Sequence, residues 1–278
     1  MTIAYSGDNI TFPDTTTQAS AQVGLKNRVI DGGFVLNQRV YVSGTALASG
    51  VYAHDRWKAG ASGCTYTFTQ GALGVNTTIT ITAGSLTQII EGCNVAEGGT
   101  YVLSWTGTAQ GRLNGGTYGA SGTVTITGWT PGTNLPIEFN TGTVGSVQLE
   151  KGSTATSFDY RPYGTELALC QRYYYRITGS GYFGTALIRS TSSSVSYTAF
   201  PVTMRINPTS LEQTGTAADY AVANLATGTT CTSVPTFFAA LQHNAQTAFT
   251  TGATLVAGQA GLNYGTGVNS YLGWSAEL

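Results

Sequence analysis

The sequence predicts an all-β protein: two antiparallel β-sandwich (jelly-roll-like) domains joined by one short helix and preceded by an extended N-terminal arm. Three observations carry this reading. Gly, Pro, Asn or Asp interrupts the chain at short, regular intervals; apolar and polar residues alternate between the interruptions; and Thr, Val, Ile and Tyr dominate the alternating stretches. Alternation with period two marks half-buried strands. Turn signals spaced about 8–12 residues apart go with sandwiches rather than βαβ units. The composition agrees, with 41% hydrophobic, 11% aromatic and 9% charged residues, 37 glycines among 278, and a net charge of −1. Disorder is excluded, because it goes with few aromatics and high net charge. A nucleic-acid binder working through a basic stripe is excluded too. No apolar run approaches the ~18 residues of a membrane-spanning helix, so no membrane insertion is expected.

Residues 1–25 lack any basic residue and read as an attachment arm. The opening MTIAYSGDNITF has neither the basic nor the apolar region of a secretory signal. Cytosolic synthesis and reduced thiols at Cys64, Cys93, Cys170 and Cys231 are therefore expected, with a Cys64–Cys93 bridge as the alternative. Residues 26–163 form a first strand-rich block, with strands expected around residues 66–68, 78–82, 101–105 and 123–127. A helix is expected over 165–176, capped by Thr165, with Glu166 in its first turn and Leu167, Cys170 and Tyr174 on one face. The helix opens a second unit, residues 164–278, whose later part is richer in Ala, Gly and Thr and includes a strand near 195–200.

Several phrases resemble bacteriophage tail-fibre proteins that carry a carbohydrate-binding-module-like jelly roll followed by a C-terminal β-sandwich. NRVIDGGFVLNQR at 27–39 resembles the opening strand of that jelly roll, and HDRW at 54–57 its next landmark. VQLEKG at 147–152, ATSF at 155–158 and YRPY at 160–163 resemble its closing strand, and ELALCQRYY at 166–174 the helix that follows. FPVTMR at 200–205, Pro208 and the final SAEL fit the C-terminal block, while ITFPD at 10–14 with TTQ at 16–18 looks like a fibre-shaft phrase. The resemblance implies a homotrimeric virion fibre that binds a host-surface polysaccharide during adsorption and docks on other virion proteins through its arm. The alternatives are a purely structural collar or decoration fibre and a carbohydrate-binding module of a secreted protein.

The resemblance also implies a structural calcium at Asp31 and Glu150, in the first and last strands of the jelly roll, where hard cations find oxygen ligands. The plainer reading of both is a turn-capping carboxylate. No other cofactor is expected. GSGYFG at 179–184 matches a dinucleotide-binding pattern, but a strand-like run follows and no acid occurs before Glu212, so it reads as a turn. His54 and His243 fall in different blocks, no G-x-S-x-G is present, and no carboxylate pair stands out, so no enzyme is expected. Trp57, Trp105 and Trp129 read as core, and Tyr173–Tyr175 as packing between the blocks. Aromatics in glycine-rich turns stand apart, because no core there needs a large ring. Tyr118, Tyr182, Tyr264 and Tyr271, with Asn263 as a polar neighbour, are the candidate glycan contacts.

Overall fold

A computed structural model describes residues 25–224 and 227–278 in full. Before them it describes three short antiparallel strands, β1 (Ala4–Ser6), β2 (Asn9–Thr11) and β3 (Thr17–Gln18). Of the shaft-like phrase, Ile10 and Thr11 fall in β2, and residues 12–14 and 16 lie outside the described residues.

The first block contains β4 (Lys58–Phe68), β5 (Ile79–Ile90), β6 (Gly99–Thr106), β7 (Gly111–Leu113), β8 (Thr123–Trp129), β9 (Leu135–Phe139) and β10 (Gly142–Lys151). All their pairings are antiparallel. One edge of β5 pairs with β4, and the other with β9 and then the start of β10. The register of β10 shifts between Gly145 and Gln148, and its second half pairs with β6 instead. Ser146 takes φ 46° at this point, a left-handed conformation that turns the strand out of one layer and into the next. Alternation then builds the core. In β9, Leu135, Ile137 and Phe139 are fully buried, whereas Pro136 and Glu138 are not. Trp105 meets Phe139 edge-on at 5.1 Å between centroids, joining the two layers. Each such large side chain contributes about 1.5–3 kcal/mol by leaving water.

Residues 27–39 are not the expected opening strand. They form a buried irregular segment tied to β10 by Arg28 N–H to Leu149 O (2.7 Å) and Val147 N–H to Gly32 O (2.8 Å). Asp31 and Phe34 both take positive φ (54° and 50°), which interrupts a pleated strand even though the run is apolar.

The chain continues into one helix, α1 (Tyr163–Gln171), then β11 (Tyr174–Thr178), β12 (Tyr182–Ser190), β13 (Ser193–Ala199), β14 (Ser210–Gln213), β15 (Tyr220–Asn224), β16 (Thr227–Leu241), β17 (Asn244–Thr251), β18 (Ala260–Gly265) and β19 (Tyr271–Ser275). The helix is shorter than expected. Pro162 precedes it with no side-chain cap, and Tyr174 is already a strand residue paired with Ser275. Thr165 therefore lies inside the first turn rather than capping it. The chain is all-β with a single α-helix among its described residues. In its second half the order β12–β13–β17–β16–β15–β18 closes into a barrel, and β11–β19–β14 form a small sheet. Closure removes the sheet edges that an open sandwich would expose. Barrel residues Phe183, Ile188 and Phe249 share one core with Leu272 and Trp274 of the small sheet.

The Tyr173–Tyr175 run joins the blocks. The Tyr173 ring lies 3.7 Å from the Arg56 guanidinium, and the Tyr174 ring 3.6 Å from that of Arg39. Tyr175 stacks on Trp274 in the second core.

Candidate functional site

An open cleft of about 700 Å³ lies on the barrel where β12, β15, β16 and the end of β18 meet. The 179–184 phrase builds one side of it. Gly179 takes φ 116° in a turn, Ser180 and Gly181 follow, and β12 starts at Tyr182, so no helix is present for a pyrophosphate. Tyr182 pairs directly with Tyr264, which places both rings on one face. Their centroids are 6.2 Å apart with planes at 67°, and Tyr182 is 67% exposed. The Tyr264 hydroxyl sits directly over Gly228, where any side chain would displace it. Thr227, Thr266 and Leu262 complete the wall, and no described lining residue is charged. Rings plus hydroxyls in an open cleft without described charges suit a ligand with alternating apolar and hydroxyl faces.

The other candidates do not join this pair. Asn263 is fully buried, because alternation along β18 sends it into the barrel while Tyr264 faces out. Its Oδ1 accepts from Ser194 Oγ at 2.7 Å, so it is a barrel-interior residue rather than a polar neighbour of the cleft. Tyr271 lies in a separate groove between the blocks, its hydroxyl donating to Gln213 O at 2.9 Å and one ring face covered by Arg176 at 3.7 Å. Tyr118 belongs to the first block, and Arg112 covers one of its faces at 4.4 Å.

Asp31 and Glu150 do not fit the implied calcium. Glu150 accepts from Thr156 N–H (2.8 Å), Thr156 Oγ1 (2.7 Å) and Gln148 Nε2 (2.8 Å). Asp31 Oδ1 accepts from the N–H groups of Val35 (2.8 Å) and Leu36 (3.2 Å), while Oδ2 is buried without a partner. Burial, reinforced by Asp55 and Glu166, pushes the Asp31 carboxyl well above the usual range, which favours its neutral form. The two acids share no hydrogen-bond partner. Among the described residues no group of three His, Cys, Asp or Glu converges, whereas calcium takes about six to eight oxygens.

The sequence reading placed Tyr173–Tyr175 between the blocks but missed the buried charges of the junction. Arg56 is buried, donates to Ile89 O at 2.7 Å and pairs with Glu277, which also lies 3.4 Å from Arg39. The HDRW phrase marks one half of this contact, but no local signal marks Glu277. Cys64 is buried and Cys93 exposed, and both are free thiols. Compared with known proteins, the chain matches no family model and no curated relative.

Proposed function

We propose that the chain is a subunit of a homotrimeric virion fibre that binds a host-surface glycan through its barrel. The observation that supports this reading is the Tyr182–Tyr264 pair at the mouth of an uncharged, open cleft. Aromatic faces receive the apolar faces of a pyranose, and Thr227 and Thr266 offer hydroxyl partners. With no charged lining, binding should depend little on salt, and three copies would multiply a modest single-site affinity.

Exposed apolar residues on the barrel, including Leu187, Tyr197, Phe238 and Leu241, favour contact with neighbouring copies. They equally suit the second reading, a structural appendage without a receptor. The experiment uses the full chain. Labelled protein should adsorb to host cells, and Tyr182→Ala with Tyr264→Ala together should lower adsorption at least tenfold without changing the oligomer. Light scattering should give three times 28.9 kDa. Unchanged adsorption by the double variant removes the cleft from the reading; no adsorption by the wild type favours the appendage.

A further inference from the structure

The groove between the two blocks has a different chemistry from the barrel cleft. It is open, holds about 490 Å³, and takes Tyr52 from the first block and Arg176, Ser210, Glu212 and Tyr271 from the second, with Arg39 in its floor. We propose that this groove binds a carboxylate-bearing saccharide, with Arg176 receiving the carboxylate and the rings of Tyr52 and Tyr271 bounding the sugar.

Arg176 is fixed in place before any ligand arrives. Its Nη1 donates to Arg39 O at 2.8 Å, its Nε to Thr178 Oγ1 at 2.9 Å, and its guanidinium lies 3.7 Å over the Tyr271 ring. Among the described residues its Nη2 makes no hydrogen bond and no carboxylate pairs with it, so a charged fork remains available at the groove wall. Guanidinium forks match the two oxygens of a carboxylate, and a pre-positioned fork loses little entropy in doing so.

Arg39 forms the floor beneath. Its side chain is only 8% exposed, with Tyr174 at 3.6 Å on one face and Tyr52 at 5.0 Å. The carboxylates of Glu212 and Glu277 stand 3.5 and 3.4 Å away, longer than ideal charged contacts, and among the described residues Arg39 Nε and Nη2 have no hydrogen-bond partner. An incompletely hydrogen-bonded guanidinium leaves N–H donors at the floor, with its charge matched by the two carboxylates. Glu212 is engaged with groups of the groove floor. Its Oε2 accepts from Tyr174 O–H at 2.8 Å and its Oε1 lies 3.5 Å from Arg39 Nε, while the side chain stays 38% exposed at the groove. Arg39 is already matched by Glu212 and by Glu277, which it shares with Arg56, so the charge left for a ligand is that of Arg176; set between tyrosine rings and beside the hydroxyl of Ser210, it forms a site for an anion that also carries apolar and hydroxyl surface. Inorganic anions would use the fork and leave the rings idle.

This proposal does not depend on the Tyr182–Tyr264 cleft. Calorimetric titration of the full chain at low salt tests it with four probes: a hexuronate trisaccharide, its carboxyl-reduced hexose counterpart, a sialylated trisaccharide and acetate. At least one acidic saccharide should bind at least tenfold more tightly than the neutral trisaccharide and than acetate, and should weaken as salt is raised. The two acidic probes tell which carboxylate geometry the groove prefers. Arg176→Gln should lose that preference. Ser210→Trp, which fills the groove without changing charge, should lose binding altogether, and Tyr182→Ala should bind as the wild type. Melting curves of both groove variants check that they fold. Failure of both acidic saccharides to bind, equal binding of the carboxyl-reduced sugar, or undiminished binding by two folded groove variants would overturn the proposal.

Discussion

His54 stands inside an aromatic cage. Phe34 and Phe68 meet its ring edge-on at 5.9 and 4.6 Å, its Nδ1 lies 2.7 Å from the Tyr66 hydroxyl, and its Nε2 is 3.3 Å from Gln70 Oε1. Among the described residues no carboxylate hydrogen-bonds to the ring. Burial therefore lowers its pKa to about 4, with the Gln70 contact opposing weakly. The sign of the pH effect follows. Between about 4 and 6.5 the unfolded chain binds a proton that the folded one refuses, so stability falls as pH drops through this window. The full difference is about 3 kcal/mol by the linkage relation. Asp31 and Asp55 act with the opposite sign, since burial raises both and protonation at low pH relieves them. Bulk acid denaturation thus mixes the two. Denaturant titration at pH 7 and pH 4.5 should isolate the imidazole: His54→Gln should lose less stability on acidification than the wild type. Equal losses would show that His54 accepts a proton in the folded state.

At the scale of elements, the barrel carries a polar strip through an otherwise apolar core. Ser196 pairs with Thr247 across β13 and β17, both are fully buried, and among the described residues neither hydroxyl has a partner. An unmade hydrogen bond on a buried hydroxyl costs about 1–3 kcal/mol. Thr247→Val keeps the β-branched shape and removes the orphaned oxygen, so it should raise stability by about 1 kcal/mol, read from the urea midpoint at constant slope. Lowered stability would indicate an ordered water bridging the pair. Strands such as β5, β6 and β13 were legible because alternation is a local property. Closure of the barrel was not, because it depends on β12 meeting β18 more than 70 residues later. The apolar run at 27–39 reads like a strand, yet its positive-φ residues lie within it without a local marker beyond the Gly32–Gly33 pair. The same logic divides the site. Tyr182 and Tyr264 stood out as rings beside turns, and the structure pairs them directly. Asn263 was drawn in by proximity, although a strand starting at Ala260 sends residues 263 and 264 to opposite faces. Glu277, Arg39 and Arg176 were invisible as a group, because nothing in the chain announces which distant arginine a glutamate will meet.

At the scale of the whole molecule, the final residues hold the two blocks together. Residues 276–278 run between them: Ala276 N–H donates to Tyr173 O (2.8 Å), Arg205 donates to the carbonyls of Ala276 (2.9 Å) and Glu277 (2.8 Å), and Tyr52 Oη and Lys58 Nζ donate to Leu278 O (2.5 and 2.7 Å). Glu277 is the charged centre of this contact, with its side chain 5% exposed and that of its partner Arg56 2% exposed. Burial works against the Arg56 charge, but the Glu277 carboxylate, together with Tyr173 and Tyr52, more than offsets it and holds the guanidinium pKa above its ordinary value. Such a pair adds little over a well-packed apolar contact, yet breaking one side strands a buried charge at about 3–5 kcal/mol. Here the stranded charge sits at a boundary between two cores, so its release has a structural as well as an energetic readout. The wild type should melt in one calorimetric transition, since neither block can separate without exposing Arg56, Arg39, Tyr173 and Tyr174. Glu277→Ala should lower the first transition and split the trace in two, the first block and the barrel melting independently. Glu277→Gln, which keeps the shape and one acceptor, should fall between. A single transition in Glu277→Ala, merely shifted, would mean that the stacked tyrosines couple the blocks without the ion pair.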